Sequence, residues 1–544
     1  MGSLILEERL EKLEKKVERF EAERDKIRHE RDEYRKLYEL LFIENERLRR
    51  NIFGQKAERV PKEQLALDFL DVAEAISAFE DTEDDKPRPN SDRRDRKPSG
   101  RKPTGRKPLP EELPVEKIEL KPPEVEQNPD DFVKIGEEVT ETLERRPASF
   151  VRVQVVRPKF KRKSQSGAEE SDEETPEFTI ADVPELPITR GLAGPGLLAH
   201  VVICKYADHL PLHRLEGIFA RDGIELARST MCGWIEKTAQ LAKLVVDAML
   251  LDAKNAPYIA IDATGVLVQA PNKCRNGHFW VMIAERKHVL FRYSRHHDSA
   301  AVDALLGGYQ GIVVADAHGV YDHLFADNTM REAACWSHCR RYFFNALSSD
   351  PDRAKKAIGM IKPLFQLERK LADAPRKKRE RVRRQKAAPI TKKFFDWCEF
   401  EQDRVLDDTP ISKAINYALN QRKPLRRFIE DGRIPIHNNF SELQLRHEVV
   451  GRKNWLFLGS EDGAEWNTTF VSLIASCKLH GIEPWAYLRD LFCLLPSWNQ
   501  KRVLELAPAY WKQTLENTDA QKILDSNIFR CITIRDSLKH REEK

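Results

Sequence analysis

The sequence predicts a multidomain α+β protein. An N-terminal coiled coil, a small β-rich domain and a helical domain precede an α/β core that a helical insertion divides. Three observations predict this fold class. Apolar residues recur at heptad spacing over residues 6–48, apolar runs of strand length lie between residues 258 and 316, and helical periodicity dominates most of the remainder. A chain of 544 residues is long enough for about three or four domains.

The N-terminal heptad repeat predicts an oligomer. Ten of the thirteen a and d positions between residues 6 and 48 are apolar, and a continuous helix of this length would extend about 65 Å. We therefore predict a coiled-coil oligomerisation and helical region over residues 1–80, with a homodimer formed through residues 6–48 as the first expectation. An antiparallel hairpin, or a helix packed on its own domain, remains the alternative.

A Pro-rich, basic segment follows, and its composition predicts a disordered linker over residues 81–110. The motif GRKP occurs in it twice, at residues 100–103 and 105–108. Such tracts either contact DNA phosphates along a groove or serve as solvated tethers, and composition leaves both possibilities open. The candidate DNA contacts in this segment are Arg101, Lys102, Arg106 and Lys107.

Composition and periodicity divide the rest of the chain. A net charge of +4 does not decide whether the protein binds nucleic acid. The nine cysteines are scattered, and neither a secretory signal nor an apolar stretch of membrane-spanning length is recognisable, so we expect a cytoplasmic protein with reduced thiols. The predicted regions are a small β-rich domain (111–190), a helical DNA-binding-like domain (191–250), the first part of the core (251–344), the helical insertion (345–430), the last part of the core (431–496) and a C-terminal tail without a recognisable motif (497–544).

Residues 258–316 predict the element order strand, strand, strand, helix, strand. The runs YIAIDATGVLVQ, GHFWVMIAE and KHVLFRYS are typical of an antiparallel meander, DSAAVDALLGG of a helix, and GIVVAD of a strand reached by a crossover. This is the order of a ribonuclease-H-like fold, in which the first and fourth strands lie side by side. Asp262 on the first strand and Asp316 at the end of the fourth are therefore expected to face each other.

Three acidic residues are the candidate catalytic residues and metal ligands. A charge such as Asp262 within a buried strand is costly unless it is paired or binds a metal. Glu442 follows HNNFS, at what we predict to be the start of a helix. Two carboxylates on strands and a third on a helix can hold a pair of Mg²⁺ ions about 3.5–4 Å apart, an arrangement suited to phosphodiester chemistry.

Other roles remain open for two of these acids. Asp322 and His318 lie close to Asp316 in sequence and compete with it as metal ligands. Asn439-x-x-Glu442 also matches a helix-capping box, in which the carboxylate would bind the backbone instead.

Two further motifs combine cations with thiols or aromatic rings. In CWSHCRRYFF, Cys335, His338 and Cys339 are of the types that bind zinc, but no fourth ligand is nearby. A helix with a buried cysteine and an exposed arginine pair is therefore favoured. Arg340 and Arg341 would then be able to contact a phosphate.

The motif GRKNWLF predicts DNA contacts near the predicted start of the last part of the core. Arg452 and Lys453 would bind the backbone and Trp455 would stack on a base. The alternative places Trp455, Leu456 and Phe457 in the core. The basic run RKKRERVRR at residues 376–384 fits either a solvated helix face or a surface that guides a duplex.

Several long motifs resemble the insertion-sequence-66 family of DDE transposases. They occur in order from about Ile188 to Pro496 and include GLAGPGLLAHVVICKYADHLPLHRLEGIF, VADAHGVYDHLF, CWSHCRRYFFNAL and NNFSELQLRHEVVGRKNWLFLGSEDGAEW. The resemblance implies a DNA transposase with a ribonuclease-H-like core and two Mg²⁺ ions, for which Mn²⁺ can substitute. Such an enzyme binds the double-stranded ends of its element, cleaves a strand at each end and joins the 3′-hydroxyls to target DNA.

Carried onto this sequence, the resemblance makes Asp262 and Asp316 the catalytic aspartates. Glu442 becomes the glutamate of an Asn-Asn-x-x-Glu motif that begins with Asn438 and Asn439. The sequence departs from the family pattern beside this motif, where the family commonly has Asp, Arg and Pro. These departures are His437, Leu443 and His447.

The resemblance also bears on cofactors and partners. Relatives carry a cysteine-rich zinc module between the linker and the helical region, but residues 111–190 contain neither Cys nor His, so no zinc is expected there. A requirement for small helper proteins from the same element stays open, and a bacterial cytoplasmic, nucleoid-associated location is expected. The alternatives are a catalytically decayed transposase that only binds DNA, and a ribonuclease-H-like nuclease that cuts without joining.

Overall fold

The structure is a computed structural model that describes residues 115–146, 149–162, 178–271, 273–326 and 329–534. The predicted coiled coil and basic linker lie outside these residues. Internal contacts divide the chain into two units. Of the described residues, 345–354 and 403–413 belong to the smaller unit, in which Arg353 forms an ion pair with Asp350 at 2.9 Å. All other described residues belong to the larger unit.

A four-stranded sheet opens the larger unit. Its strands are β1 (Val115–Glu119), β2 (Phe132–Arg146), β3 (Ser149–Arg162) and β4 (Phe178–Ile180), and a short helix α1 (Pro123–Gln127) follows β1. The order is β1-β3-β2, with β4 paired to β3. Alternate residues of β3, Val151, Val153 and Val155, are buried against Phe529 and Ile532, as the two-residue period of a strand requires. The C-terminal segment therefore covers this sheet.

Three helices follow, as predicted for this region: α2 (Pro195–Tyr206), α3 (Leu212–Arg221) and α4 (Arg228–Ala253). The N-terminus of α2 is fixed by Glu144 of β2, whose carboxylate accepts hydrogen bonds from the N–H groups of Leu197 (2.7 Å) and Gly196 (3.3 Å). This carboxylate occupies the space that a β-carbon on Gly194 would need. The glycines of the GLAGPG motif therefore allow the β-rich sheet to attach closely to the helical region.

A five-stranded sheet forms the centre of the larger unit. It contains β5 (Tyr258–Val268), β6 (Arg275–Ala284), β7 (His288–Ser294), β8 (Ile312–Ala315) and β9 (Arg331–Ala334), with helix α5 (Ser299–Leu306) between β7 and β8. The order is β7-β6-β5-β8-β9. β5, β6 and β7 are antiparallel, whereas β8 and β9 are parallel to β5. The predicted element order and the predicted neighbouring position of the first and fourth strands are confirmed.

The remaining helices flank this sheet or follow it in the chain. They are α6 (Trp336–Asn345), α7 (Pro351–Lys370), α8 (Arg376–Val382), α9 (Ala388–Gln402), α10 (Pro410–Asn420), α11 (Arg422–Arg426), α12 (Asn439–Trp455), α13 (Glu461–Leu479), α14 (Pro484–Leu494), α15 (Trp511–Leu515) and α16 (Thr518–Ser526). α13 lies along the outer edge of β7. The Ser472 and Ser476 hydroxyls accept hydrogen bonds from the N–H groups of Phe291 (2.7 Å) and Val289 (3.0 Å). This edge is therefore not available for pairing with another strand.

The basic run at residues 376–384 is not a uniformly solvated face. Arg383 is only 1% exposed and binds both carboxylate oxygens of Glu368, at 2.8 and 2.6 Å. Its guanidinium also donates to the carbonyl oxygen of Phe428 at 2.7 Å. Arg379 donates to the carbonyls of Ala372 and Gly432. These two arginines therefore stabilise the insertion, and Arg376 adds an ion pair with Asp431 at 2.9 Å.

Candidate active site

The two candidate aspartates lie on neighbouring parallel strands. In the pairing of β5 with β8, Ala260 lies opposite Val314. Continuing this register by two residues places Asp262 opposite Asp316, and the two side chains then point to the same face because the strand period is two. Neighbouring strands are about 4.8 Å apart. Asp316 directly follows Ala315, the last residue of β8. Two residues separated by 54 positions in sequence are thus close enough for the charge of Asp316 to act on Asp262.

Asp262 lies in a partly buried environment that disfavours its charge. The pKa of this carboxyl is raised to about 7, mainly by burial and in addition by the negative charges of Asp316 and Glu442. A hydrogen bond from the N–H of Ala263 at 2.8 Å and the positive charge of Arg341 act in the opposite direction. Because Asp316 and Glu442 both raise the pKa of Asp262, the three acids form one electrostatic cluster.

Asp316 is held at a sharp turn of the chain. Ala317, directly after it, has a φ of 61°, a left-handed conformation that is uncommon for residues other than glycine. The turn brings the N–H of His318 to within 3.2 Å of the Asp316 carboxylate. The competing Asp322 is exposed in the short 3₁₀ helix Gly319–Phe325. Strain of this kind is common where a structure holds a functional side chain.

Glu442 lies in the first turn of α12, and it does not form a capping box. The N-cap residue of this helix is Asn438, and no side-chain hydrogen bond caps the helix. The Glu442 carboxylate instead lies 3.2 Å from the Arg341 guanidinium and 3.4 Å from Nε2 of His338. The capping alternative is therefore wrong, and both partners of the carboxylate come from α6.

Asn438 connects the start of α12 to the central strand. Its side-chain amide donates to the carbonyl oxygen of Ile261 at 2.9 Å, directly before Asp262. Its backbone N–H donates to the sulfur of Cys335 at 3.1 Å. Asn438 is only 1% exposed, so loss of either bond would leave a buried polar group without a partner. This asparagine therefore holds the start of α12, which carries Glu442, against β5, which carries Asp262.

The three acids fit a pair of divalent cations in their donor type. Carboxylate oxygens are ligands that Mg²⁺ prefers, and mutual repulsion at Asp262 is the situation that a cation relieves. Their present arrangement is not that of a metal-bound site. Within the described ranges, no three or more His, Cys, Asp or Glu side chains are grouped closely enough to hold a metal ion. Glu442 is instead engaged by Arg341 and His338, and it would have to leave them to share a metal with the aspartates.

The pKa of Asp262 predicts a pH-dependent metal requirement. Because a proton competes with the metal for a carboxyl of pKa about 7, the Mg²⁺ concentration for half-saturation is expected to fall about tenfold between about pH 6 and about pH 8. Isothermal titration calorimetry in buffers of different ionisation enthalpy measures both the affinity and the protons released. An affinity that does not change with pH, without proton release, would contradict Asp262 as a ligand.

One prediction for α6 needs correction. Arg340 and Arg341 are not an exposed pair. Arg340 is buried, with its guanidinium 5.8 Å from the centre of the Phe365 ring. It therefore does not fit the predicted phosphate contact. Arg341 remains about half exposed and contacts Glu442.

Cys335, directly before α6, and Cys339, within α6, are free thiols. Cys335 and Cys339 are fully buried, and burial raises the pKa of both thiols. Cys335 accepts the hydrogen bond from Asn438, which gives it a structural role. The predicted helix with a buried cysteine is confirmed here.

The GRKNWLF motif serves partly to attach α12 to β5. The Arg452 guanidinium donates to the Thr264 hydroxyl at 3.0 Å and to the Gly265 carbonyl. Lys453 is exposed. Trp455 is half-buried and packs against the apolar cluster that includes Val266. The side chains that follow it, Leu456 and Phe457, are 66% and 43% exposed, so the alternative that placed all three in the core is wrong.

Two neighbours of the acids have roles that the sequence did not indicate. The sequence indicates His338 only as a candidate zinc ligand, yet its spacing of three residues from Arg341 puts both on one face of α6, toward Glu442. Glu332 on β9 is a fourth acid near the cluster. Its pKa is raised to about 7, first by burial, with contributions from Asp322 and Asp316. No local pattern marks Glu332, because its position depends on the pairing of β9 with β8.

Comparison with known proteins identifies the chain as a transposase. It belongs to the IS66 family. The family model described as "Transposase IS66 family" matches residues 190–466, just over half of the chain. Models described as "Transposase C of IS166 homeodomain" and "IS66 C-terminal element" match residues 41–118 and 472–509. The family predicted from the sequence motifs is confirmed.

Similar proteins occur in Sinorhizobium fredii (strain NBRC 101917 / NGR234). The uncharacterized protein y4qI is 29% identical over 399 residues, which cover 70% of this chain and 72% of that protein. The uncharacterized protein y4hP is 27% identical over 499 residues, which cover 86% of this chain and 88% of that protein. Across the described residues, none of the helices combines the length and the apolar character needed to span a bilayer.

Proposed function

We propose that this transposase cleaves and joins DNA strands at the carboxylate cluster of Asp262, Asp316 and Glu442, within a ribonuclease-H-like core. The observation that carries the proposal is the register of β5 with β8, in which Ala260 pairs with Val314, each two residues before one of the aspartates. The order β7-β6-β5-β8-β9 is that expected of such a core. Asn438 adds support, because it joins the helix of the third acid to the strand of the first.

The proposed chemistry is phosphoryl transfer without a covalent enzyme intermediate. The three carboxylates would hold Mg²⁺, or Mn²⁺ in its place. When bound, the ions would lower the pKa of an attacking water or 3′-hydroxyl and neutralise the leaving oxygen. Arg341 would then be released from Glu442 toward the substrate, where its guanidinium suits a phosphate oxygen.

We propose that the DNA backbone follows α12 away from this cluster. Lys453 is exposed and free to contact a phosphate, while Arg452 acts by holding α12 on β5. Arg101, Lys102, Arg106 and Lys107 would add contacts from the linker. Such contacts fix position and affinity but do not read sequence. The proposed ligand is double-stranded DNA, both as element ends and as target. The proposed location is the bacterial cytoplasm.

A dimer formed through residues 6–48 would bring two element ends together. Deletion of residues 1–50 is therefore expected to give a monomer that binds one end but does not pair two. Light scattering measures the mass of the full chain against the 63.0 kDa of a single chain, and a two-colour end-pairing assay measures synapsis. An unchanged oligomeric mass after the deletion would exclude the coiled coil as the dimer interface.

A second candidate function is that of a decayed transposase that only binds DNA. The engagement of Glu442 by Arg341 and His338 favours it, as do the departures beside the motif. His437 is half-buried with its ring stacked 6.0 Å from that of Phe365, and Leu443 is 46% exposed. A decayed enzyme would still bind element ends but would not nick them at any Mg²⁺ or Mn²⁺ concentration.

The deciding experiment is a nicking and joining assay on labelled duplex that carries the element's own ends, with Mg²⁺ or Mn²⁺. Metal-dependent nicking followed by joining to a second duplex supports the transposase. Nicking without joining supports a ribonuclease-H-like nuclease. Binding without nicking, even when helper proteins of the same element are added, supports the decayed enzyme.

A further inference from the structure

A cavity of about 150 Å³ lies between α2, α4, α12 and α13, separate from the carboxylate cluster. Its lining combines a lysine, two buried polar side chains and two tryptophans. A cavity of this volume has room for one benzene-sized ring. The residues that define the site, which we name the Lys205 cavity, are Lys205, Tyr206, Trp455, Trp466 and Asn467.

Two polar atoms of this lining have no hydrogen-bond partner. The Tyr206 hydroxyl and the Asn467 Oδ1 are both buried and unpaired, and each residue is only 4% exposed. Burial raises the pKa of Tyr206 well above its usual value, so its hydroxyl keeps its proton and can donate. An unpaired buried polar atom destabilises a fold by roughly 1–3 kcal/mol. Two such atoms at one cavity indicate that a bound ligand supplies the missing hydrogen bonds.

Lys205 adds a cation to the same cavity. Its ammonium group lies 5.3 Å from the centre of the Tyr206 ring. The Lys205 ammonium group forms no hydrogen bond or ion pair with any of the described residues. Burial lowers its pKa, which reflects an ammonium group poorly reached by water. The cavity therefore offers two hydrogen-bond donors, Lys205 and Tyr206, and one acceptor, Asn467.

Aromatic rings complete the lining. Trp455 packs against the apolar cluster below it and also lines the cavity. Trp466 lies on α13 and is half-buried. Tryptophan faces beside a slot one ring wide suit a flat heteroaromatic ligand. The start of α12 carries Glu442, and Trp455 lies thirteen residues further along this helix, a distance of about 20 Å.

We propose that the Lys205 cavity binds one pyrimidine base, unstacked from a DNA strand that reaches the carboxylate cluster. Thymine and cytosine each present two acceptors and one donor on the pairing edge, which complements the two donors and one acceptor of the cavity. The purines present other edges: adenine has one donor and one acceptor, and guanine has two donors and one acceptor, so neither matches the cavity. Flipping costs least for a single-stranded or mismatched base, so the site would act where the duplex opens. The inference rests on the proposed function, because it takes the ligand to be DNA.

The test compares two single-stranded probes with the full-length protein in EDTA, where no cleavage takes place. One probe is a fluorescein-labelled thymidine octanucleotide, and the other is an octamer of the same backbone with abasic residues. Anisotropy is expected to show the thymidine probe bound about tenfold more tightly than the abasic one. A deoxyadenosine octanucleotide is expected to bind less tightly than the thymidine probe.

Two variants separate base binding from phosphate binding. Trp466→Ala is expected to remove most of the preference for thymidine and to leave the abasic affinity unchanged. Tyr206→Phe removes a single hydroxyl, and it is expected to reduce the preference severalfold without lowering the melting temperature, because the atom removed has no partner in the protein. A purely structural hydroxyl would lower the melting temperature instead.

The inference is overturned if wild type does not distinguish the thymidine probe from the abasic one. It is also overturned if both variants weaken both probes equally, or leave the preference unchanged. Because the assay needs no metal, its outcome is independent of nicking. Pyrimidine preference without any nicking by wild type would refute the proposed catalysis while the base site stands, and the reverse combination would refute only the base site.

Discussion

Asp262→Asn is expected to reduce nicking of element-end DNA by about a thousandfold or more while DNA binding is retained. An amide is a neutral and weaker ligand for a divalent cation, so the variant removes charge at the point where the register of β5 with β8 brings two aspartates together. Binding is expected to persist because phosphate contacts dominate affinity. Removal of a negative charge also adds no repulsion between the protein and the DNA phosphates. Nicking is measured by strand cleavage on denaturing gels and binding by anisotropy.

Asp322→Asn is the matched control for this experiment. Asp322 is also an aspartate close to Asp316 in sequence, but it is exposed on the short 3₁₀ helix that follows. A surface change of this kind is expected to alter activity by no more than about twofold. If Asp262→Asn still nicks the ends with Mg²⁺ at a rate close to that of the control, Asp262 is not a catalytic residue.

Four of the five strands of the central sheet could be predicted from the sequence because their signals are local, whereas β9 (Arg331–Ala334) was not predicted. Each strand from Tyr258 to Ala315 is a short apolar run, and the order of the runs with one intervening helix restricts how they can pair. The position of Asp262 in one run and Asp316 at the end of another then followed from the two-residue period. The physical basis of this success is that burial of a sheet leaves its pattern in the strands themselves.

The partners of the candidate site could not be predicted in the same way. Asn438 binds the carbonyl of Ile261, and Glu442 contacts Arg341. These pairs lie far apart in sequence, and each depends on the final packing of a helix. The local sequence around a polar residue also does not reveal whether its side chain is solvated or buried. Arg383 finds carbonyl partners in residues 428–434 and Arg340 packs over Phe365, yet neither differs in pattern from an exposed arginine.

The C-terminal region illustrates a similar limit. Residues 497–544 carry no recognisable motif, yet Phe529 and Ile532 cover the valines of β3. Burial of these side chains depends on a sheet nearly 400 residues earlier in the chain, which local periodicity does not reveal. Residues 497–534 are therefore part of the fold of the larger unit.

Two acids compete for the third position of the candidate site. Glu442 acts electrostatically on Asp262, and its helix is joined to β5 through Asn438. The pKa of Glu332 is influenced by Asp316. Because Glu332 lies opposite Val313 in the pairing of β9 with β8, its side chain points to the other face of the sheet from Val314, which lies two residues before Asp316. Sequence motifs favour Glu442, whereas present contacts engage it with Arg341. Substitution of each acid by its amide separates the two candidates.

Glu442→Gln is expected to reduce nicking and joining by about a thousandfold, and Glu332→Gln by no more than about threefold. The amide keeps the shape of Glu442 and can still accept a hydrogen bond from Arg341, so α12 should remain in place and the melting temperature should change little. Both variants are compared with wild type on the same labelled ends over a range of Mn²⁺ concentrations. If Glu332→Gln eliminates activity and Glu442→Gln does not, the third ligand lies on β9. In that case, Glu442 serves only to orient Arg341 and His338.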